Sequence, residues 1–172
     1  MVEGRMEAEK KHVTPLWWVE EGKLAGMPMP WLDPARRENL GGAIDAYDDE
    51  MRSLWDAGVR SVACLLNIPS DQRVYESAGF SFLCFPIANG GVPADEGEVR
   101  RFIEYAQSAP AALAVHCQGG IGRTGTMIAV LLMAGGASFE EAVTRVRAAQ
   151  PAAIETAPQM QFLEQCEGFL RA

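Results

Sequence analysis

The stretch Ala112-Leu-Ala-Val-His116-Cys117-Gln-Gly-Gly-Ile-Gly122-Arg123-Thr-Gly125 restricts the possible folds of this chain more than any other. A short, largely apolar segment passes directly into a glycine-rich turn, and the residues after it, Arg123 to Met133, have the apolar spacing of a helix. A strand that ends in a tight turn at a helix N-terminus leaves several amides without partners. Those N–H groups and the helix dipole together make a cradle for a dianionic group such as phosphate. Arg123 adds a planar fork that can grip two phosphate oxygens, and Cys117 stands where a thiolate can attack phosphorus.

The same window contains Gly120-Ile-Gly122-Arg-Thr-Gly125, a literal G-x-G-x-x-G. A dinucleotide fold would follow it with a second strand that ends in an acidic residue about 20 positions on. Here Ser138-Phe-Glu-Glu141 follows, a capping box that opens another helical pattern, and this sets the dinucleotide reading aside.

Elsewhere strands and helices alternate. Trp17 to Met29 gives a short strand around Lys23-Leu-Ala-Gly26, and Asp33 to Gly42 reads as a polar loop. Ile44, Tyr47, Met51, Leu54 and Trp55 recur at helical spacing up to Gly58. Val59–Asn67 and Phe80–Phe85 read as strands separated by a helical turn from Ser70 to Ser77. A loop from Pro86 to Pro93 precedes a helix from Asp95 to Gln107, and helices from Ser138 to Ala149 and from Thr156 to Phe169 close the chain. This order implies a single α/β domain over residues 13–172, with a central, mainly parallel sheet of 4–5 strands flanked by helices. A charged, frayed leader is expected over residues 1–12. Open α/β sheets bind ligands beyond the carboxyl ends of their strands, where Cys117 falls.

With 172 residues, 48% of them apolar, the chain can bury a core of ordinary size. No apolar run approaches the roughly 18 residues of a membrane span, and the N-terminus lacks the apolar centre of a signal peptide, so a cytoplasmic protein is expected. A net charge of −8 sets nucleic acid and anionic membranes aside as partners. Cys64, Cys84 and Cys166 lie in apolar segments without metal-ligand spacing and read as buried reduced thiols, although a redox disulfide with Cys117 stays open. No metal or cofactor is implied, and nothing bears on oligomeric state.

The run His116-Cys117-x5-Arg123-Thr124 resembles the His-Cys-x5-Arg-Ser/Thr signature of the cysteine-dependent protein tyrosine and dual-specificity phosphatases. Trp18-Val-Glu-Glu-Gly-Lys-Leu-Ala-Gly26 and Ile154-Glu-Thr-Ala-Pro-Gln159 are similar to the corresponding segments of the small atypical dual-specificity members. The resemblance runs from about Trp17 to the C-terminus. It implies a phosphatase-like fold and hydrolysis of phosphotyrosine, with phosphoserine and phosphothreonine as secondary substrates, on a phosphorylated protein or a small phosphomonoester. It makes Cys117 the nucleophile, a thiolate because amides, a helix N-terminus and an arginine lower a thiol's pKa, and it makes phosphocysteine the intermediate. Gln118, Gly119, Gly120, Ile121, Gly122 and Arg123 become the phosphate loop. Thr124 eases departure of the sulfur, alongside a first-turn role toward the backbone, and His116 braces the loop. Gln159 corresponds to the glutamine that positions the attacking water, while Thr156-Ala-Pro-Gln159 also reads as a capping box with Pro158 in the first turn.

The departure lies at Pro86-Ile-Ala-Asn89-Gly-Gly-Val-Pro93. Relatives carry Pro-Asp where this chain has Ala88-Asn89, and that aspartic acid protonates the leaving oxygen; an asparagine amide cannot. Glu155 is the first substitute, ahead of Asp95 and Glu96, which read equally well as charges at a helix start. Two further readings stay open. One is a phosphate-binding module in which slow turnover makes capture of a phosphoprotein the output. The other is a phosphatase for a non-protein phosphomonoester, although the loop lacks the basic residues that phosphoinositides or RNA 5′-phosphates would meet. Rhodanese-like and arsenate-reducing chemistries do not account for the whole window. The stretch from about Trp31 to Asp45 looks like an addition to the shortest members, with Arg36 and Arg37 either meeting a phosphoprotein or lying in a solvated loop.

Overall fold

Five strands form one mixed sheet in the computed structural model, which describes residues 13–30 and 40–171. Strand β1 (Trp17–Glu20) turns through Gly22, at φ 69°, into β2 (Leu24–Met27). Helix α1 (Leu40–Asp56) leads to β3 (Val59–Cys64), α2 (Asp71–Ser77) to β4 (Ser81–Cys84), and α3 (Glu96–Ser108) to β5 (Ala112–His116). Helices α4 (Gly122–Ala134), α5 (Phe139–Ala149) and α6 (Ala157–Leu170) follow. The strand order is β1-β2-β5-β3-β4, antiparallel only between β1 and β2.

Central β5 and its neighbour β2 are buried at every residue, whereas the edge strands β1 and β4 are partly exposed. Layers on both faces of the sheet explain why the inner strands read as unbroken apolar runs. On one face Leu113 and Val115 pack with Val99 and Phe102 of α3, Ile128 of α4, Val146 of α5 and Leu163 of α6. On the other, Met27, Val62 and Ala114 meet Met51 and Leu54 of α1 and Tyr75 of α2. Each fully buried side chain of this size stabilises the fold by about 1.5–3 kcal/mol. Helix α4 is apolar nearly all round because it is buried nearly all round. Three helices start on side-chain caps: the Glu98 amide donates to Asp95 Oδ1 at 2.8 Å, Glu141 to Ser138 Oγ at 3.1 Å, and Gln159 to Thr156 Oγ1 at 3.3 Å.

Several boundaries differ from the sequence expectation. The single strand expected around Lys23 is a hairpin: β1 lies upstream, and β2 starts only at Leu24, because the Lys23 amide closes the turn on the Glu20 carbonyl. Strand β3 stops at Cys64 rather than Asn67: the Leu65 amide still bonds across to the His116 carbonyl, and the chain then turns, with the Ile68 amide on the Leu66 carbonyl. Strand β4 omits Phe80 and Phe85, and Cys84 is half-buried because β4 is a sheet edge. Leu40-Gly-Gly42, read as the end of a loop, opens α1; two glycines are poor helix formers and hid this start. The expected leader 1–12 and Arg36 and Arg37 lie outside the described residues.

Candidate active site

The register aligns Met27, His116, Cys64 and Cys84 across the ends of four strands, and Cys117 leaves the sheet at the middle of that row. His116 is buried on the β5 side facing α2, its Nδ1 3.1 Å from the Cys117 carbonyl and its Nε2 3.4 Å from the Tyr75 hydroxyl. The loop then rises against β2. The Met29 amide donates to the Gln118 carbonyl at 3.0 Å, and Gly120 takes φ 72° with its Cα against the Met27 carbonyl, where any Cβ would overlap backbone. Only glycine accepts both the left-handed conformation and that approach. Gly122 begins α4, so the loop amides gather at a helix N-terminus.

Burial pushes the Cys117 thiol upward. The Thr124 hydroxyl and the amides of Thr124, Ile121 and Gly120 oppose it and prevail, leaving the thiol below its ordinary value. Thr124 Oγ1 is buried without a hydrogen-bond partner, and its hydroxyl is among the groups that lower the Cys117 thiol. By contrast, burial and then the charge of Glu96 push Cys166 up to about 12. The Arg123 guanidinium is buried and donates from Nη1 to the Ile87 carbonyl at 2.8 Å, which joins the glycine-rich loop after Cys117 to the loop carrying Asn89.

A cleft of about 360 Å³ opens above the sulfur, lined by Asn89, Gly90, Cys117, Gln118, Gly119, Ile121, Gly122, Arg123 and Glu155. Asn89 is exposed at its rim. Its loop is tied down by the Arg123–Ile87 bond, by Thr156 Oγ1 donating to the Gly90 carbonyl at 3.0 Å, and by Gln159 Nε2 reaching the Gly91 carbonyl at 3.5 Å. Glu155 is the carboxylate of the lining, with Oε2 against the Cα of Gly122. Its backbone is placed by the Arg147 guanidinium, which holds the Ala153 and Ile154 carbonyls at 3.0 Å each and sustains Ile154 at φ 62°. Asp95 caps α3 and Glu96 pairs with Arg100; neither lines the cleft.

Gln159 is fully buried and also outside the lining. Its Oε1 accepts from the Glu155 and Thr156 amides at 2.9 and 3.2 Å, completing the capping box. Its amide is thus committed to α6 and to the Asn89 loop. His116 and Thr124 stand behind the loop. Sequence reasoning passed over Tyr75, Arg147 and Trp17, whose indole N–H meets the Gly120 carbonyl at 3.0 Å. The partners of Trp17 and Tyr75 lie 103 and 41 positions off in sequence, those of Arg147 only 6 and 7, and no local motif announces any of them. Among the described residues no group of three His, Cys, Asp or Glu side chains could hold a metal ion, and no helix is long and apolar enough to cross a membrane.

Comparison with known proteins places this geometry. Residues 17–167 match the family described as "Swiss Army Knife protein, DSP-PTPase phosphatase domain". Dual specificity protein phosphatase CDC14A of Homo sapiens is 34% identical over 154 residues, which cover 89% of this chain and 25% of the relative. CDC14AB of Danio rerio is 30% identical over 156 residues, 90% of this chain and 25% of the relative. The chain therefore spans about a quarter of the length of these relatives. Among solved structures, Tk-PTP in the active form superposes with a TM-score of 0.68 at 30% identity, covering 89% of this chain and 96% of that one. Kinase associated phosphatase shares the fold, with a TM-score of 0.73 at 18% identity and coverage of 96% and 99%.

Proposed function

This chain belongs to the DSP-PTPase phosphatase domain family, and we propose that it hydrolyses phosphotyrosine on proteins, with phosphoserine and phosphothreonine as secondary substrates, through a phosphocysteine on Cys117. The observation that carries this reading is a thiol held below its ordinary value by inward-facing donors, beside a buried guanidinium at the floor of an open cleft.

The phosphate dianion enters above the sulfur. Arg123 turns its fork from the Ile87 carbonyl to two phosphate oxygens, and the amides from Gln118 to Arg123 take the rest. The thiolate attacks in line: the S–P bond forms and the P–O bond to the leaving group breaks. The leaving phenolate, whose conjugate acid has a pKa of about 10, takes up a proton. Asn89 cannot give one, and the Glu155 carboxyl on the cleft wall is the donor we assign. Water then attacks phosphorus, Glu155 takes its proton, and the sulfur leaves with its charge met by Thr124 Oγ1. Gln159 serves by holding the Asn89 loop and the start of α6 rather than by orienting water.

Asn89 also favours a second reading, a domain that captures phosphoprotein and turns it over slowly. A pH profile of kcat/KM on an aryl phosphate, with Cys117→Ser as control, tests the proposal. The expected result is a nucleophile limb below the ordinary thiol range that is abolished by Cys117→Ser. Activity that survives Cys117→Ser overturns it, and stoichiometric phosphopeptide binding with no burst favours the second reading.

A further inference from the structure

We infer that Trp17 is a positioning residue of the phosphate loop: its indole N–H latches the peptide between Gly120 and Ile121 in the one orientation that turns the Ile121 amide toward the sulfur. This inference rests on the assignment of the cleft as the phosphate site.

The geometry has three parts. Trp17 Nε1 donates to the Gly120 carbonyl at 3.0 Å, across 103 positions of sequence. Trp17 pairs with Gly26 in the β1–β2 hairpin, and a Cβ on Gly26 would overlap the indole ring, so the bare backbone of β2 seats the ring. One residue further on, the Met27 carbonyl abuts the Cα of Gly120. The hairpin thus grips Gly120 from two sides, β2 at its Cα and β1 at its oxygen.

Within a trans peptide plane the C=O and the following N–H point in opposite directions. Fixing the Gly120 oxygen outward on the indole therefore fixes the Ile121 N–H inward, and that amide is one of the donors that hold the Cys117 thiol below its ordinary value. Gly120 sits at φ 72°, and glycine changes conformation at little cost. Without a latch the plane can turn over and aim a carbonyl oxygen at the thiolate and at the phosphate, replacing attraction with repulsion. Trp17 is half-buried and touches no substrate position, so its effect passes through the loop.

The test replaces Trp17 with 3-benzothienylalanine, an isostere with sulfur in place of the indole N–H, and separately makes Trp17→Phe. The isostere keeps the packing on Gly26 and removes only the donor. Wild type and variants are compared for kcat/KM on p-nitrophenyl phosphate, for competitive inhibition by inorganic phosphate, for the pH midpoint of Cys117 alkylation, and for melting temperature. The isostere is expected to lower kcat/KM by about tenfold, weaken inorganic phosphate several-fold and raise the alkylation midpoint toward that of a free thiol, since small displacements of catalytic groups carry costs of this order. Its melting temperature should stay with the wild type, and Trp17→Phe should show the same kinetic losses. An isostere equal to wild type in all three site readouts overturns the inference and leaves the phosphatase reading standing, as does a loss of activity that only tracks a loss of melting temperature. A wild type that neither turns over the ester nor binds phosphate refutes the functional reading, and the latch with it.

Discussion

Changing Asn89 to aspartic acid should convert a slow first step into a fast one, by an amount that the structure bounds. Asn89 is exposed at the cleft rim, and Asp is its isostere, so the folding cost should stay within about 0.5 kcal/mol. The loop that carries it stays tied to Thr156 and Gln159 when Arg123 turns to the phosphate, which keeps the new carboxyl at the mouth of the same cleft as the sulfur. A well-placed general acid contributes roughly 10²- to 10⁴-fold for a poor leaving group. Glu155 already lines the cleft and on our reading supplies part of that factor, so the expected gain in kcat is at least about tenfold, or about 1.4 kcal/mol. The assay is steady-state turnover of a series of aryl phosphates whose leaving groups range in basicity. The gain should be greatest for phenyl phosphate and smallest for p-nitrophenyl phosphate, whose leaving group needs little help. Glu155→Gln should lower the phenyl rate in the present background and much less once Asn89→Asp is in place. An Asn89→Asp rate gain that is flat across the series, or absent, refutes the argument that this position lacks an acid the chemistry requires.

Iodoacetamide should label Cys117 selectively at neutral pH, and labelling should persist as pH falls below the ordinary thiol range, because the shift is downward; Cys166, pushed up to about 12, should stay unlabelled in the folded protein by mass spectrometry. Gly120→Ala should abolish binding of inorganic phosphate and destabilise the domain by at least about 1–2 kcal/mol, the cost of a left-handed residue alone, with the overlap on the Met27 carbonyl adding to it. Gln159→Leu should lower the melting temperature, since it leaves the Glu155 and Thr156 amides and the Gly91 carbonyl without their partner, at about 1–3 kcal/mol for a buried orphan group. Calorimetry checks both stabilities.

Much of this was legible in the sequence because the relevant signals are local. The strand, turn and helix around Cys117 announce themselves through an apolar run, four glycines and an arginine, all within fifteen residues. The helix starts are equally local: the Thr156–Gln159 capping box forms as read, Ser138 caps α5 without the reciprocal Glu141 bond of a full box, and Asp95, read as a charge at a helix start, is the side-chain cap of α3. The hairpin at Trp17–Met27 was blurred because its two strands are four residues each and the antiparallel partner is an edge. What stayed hidden is tertiary. The contact of Trp17 with Gly120, that of Tyr75 with His116 and that of Arg123 with Ile87 join residues between 36 and 103 positions apart, and no spacing rule reaches them. Gln159 shows the limit most clearly. Its sequence supports both a cap and a catalytic amide; the cap forms, and the bond from its Nε2 to the Gly91 carbonyl, 68 positions away, is one that no spacing rule reaches.

A phosphocysteine on Cys117 would be visible by intact-mass spectrometry of protein acid-quenched within the first turnovers of an aryl phosphate. A single added phosphoryl group is expected on a fraction of the wild type, mapping to Cys117 and missing from Cys117→Ser. Rapid turnover by wild type with no such adduct, together with undiminished activity in Cys117→Ser, would contradict it.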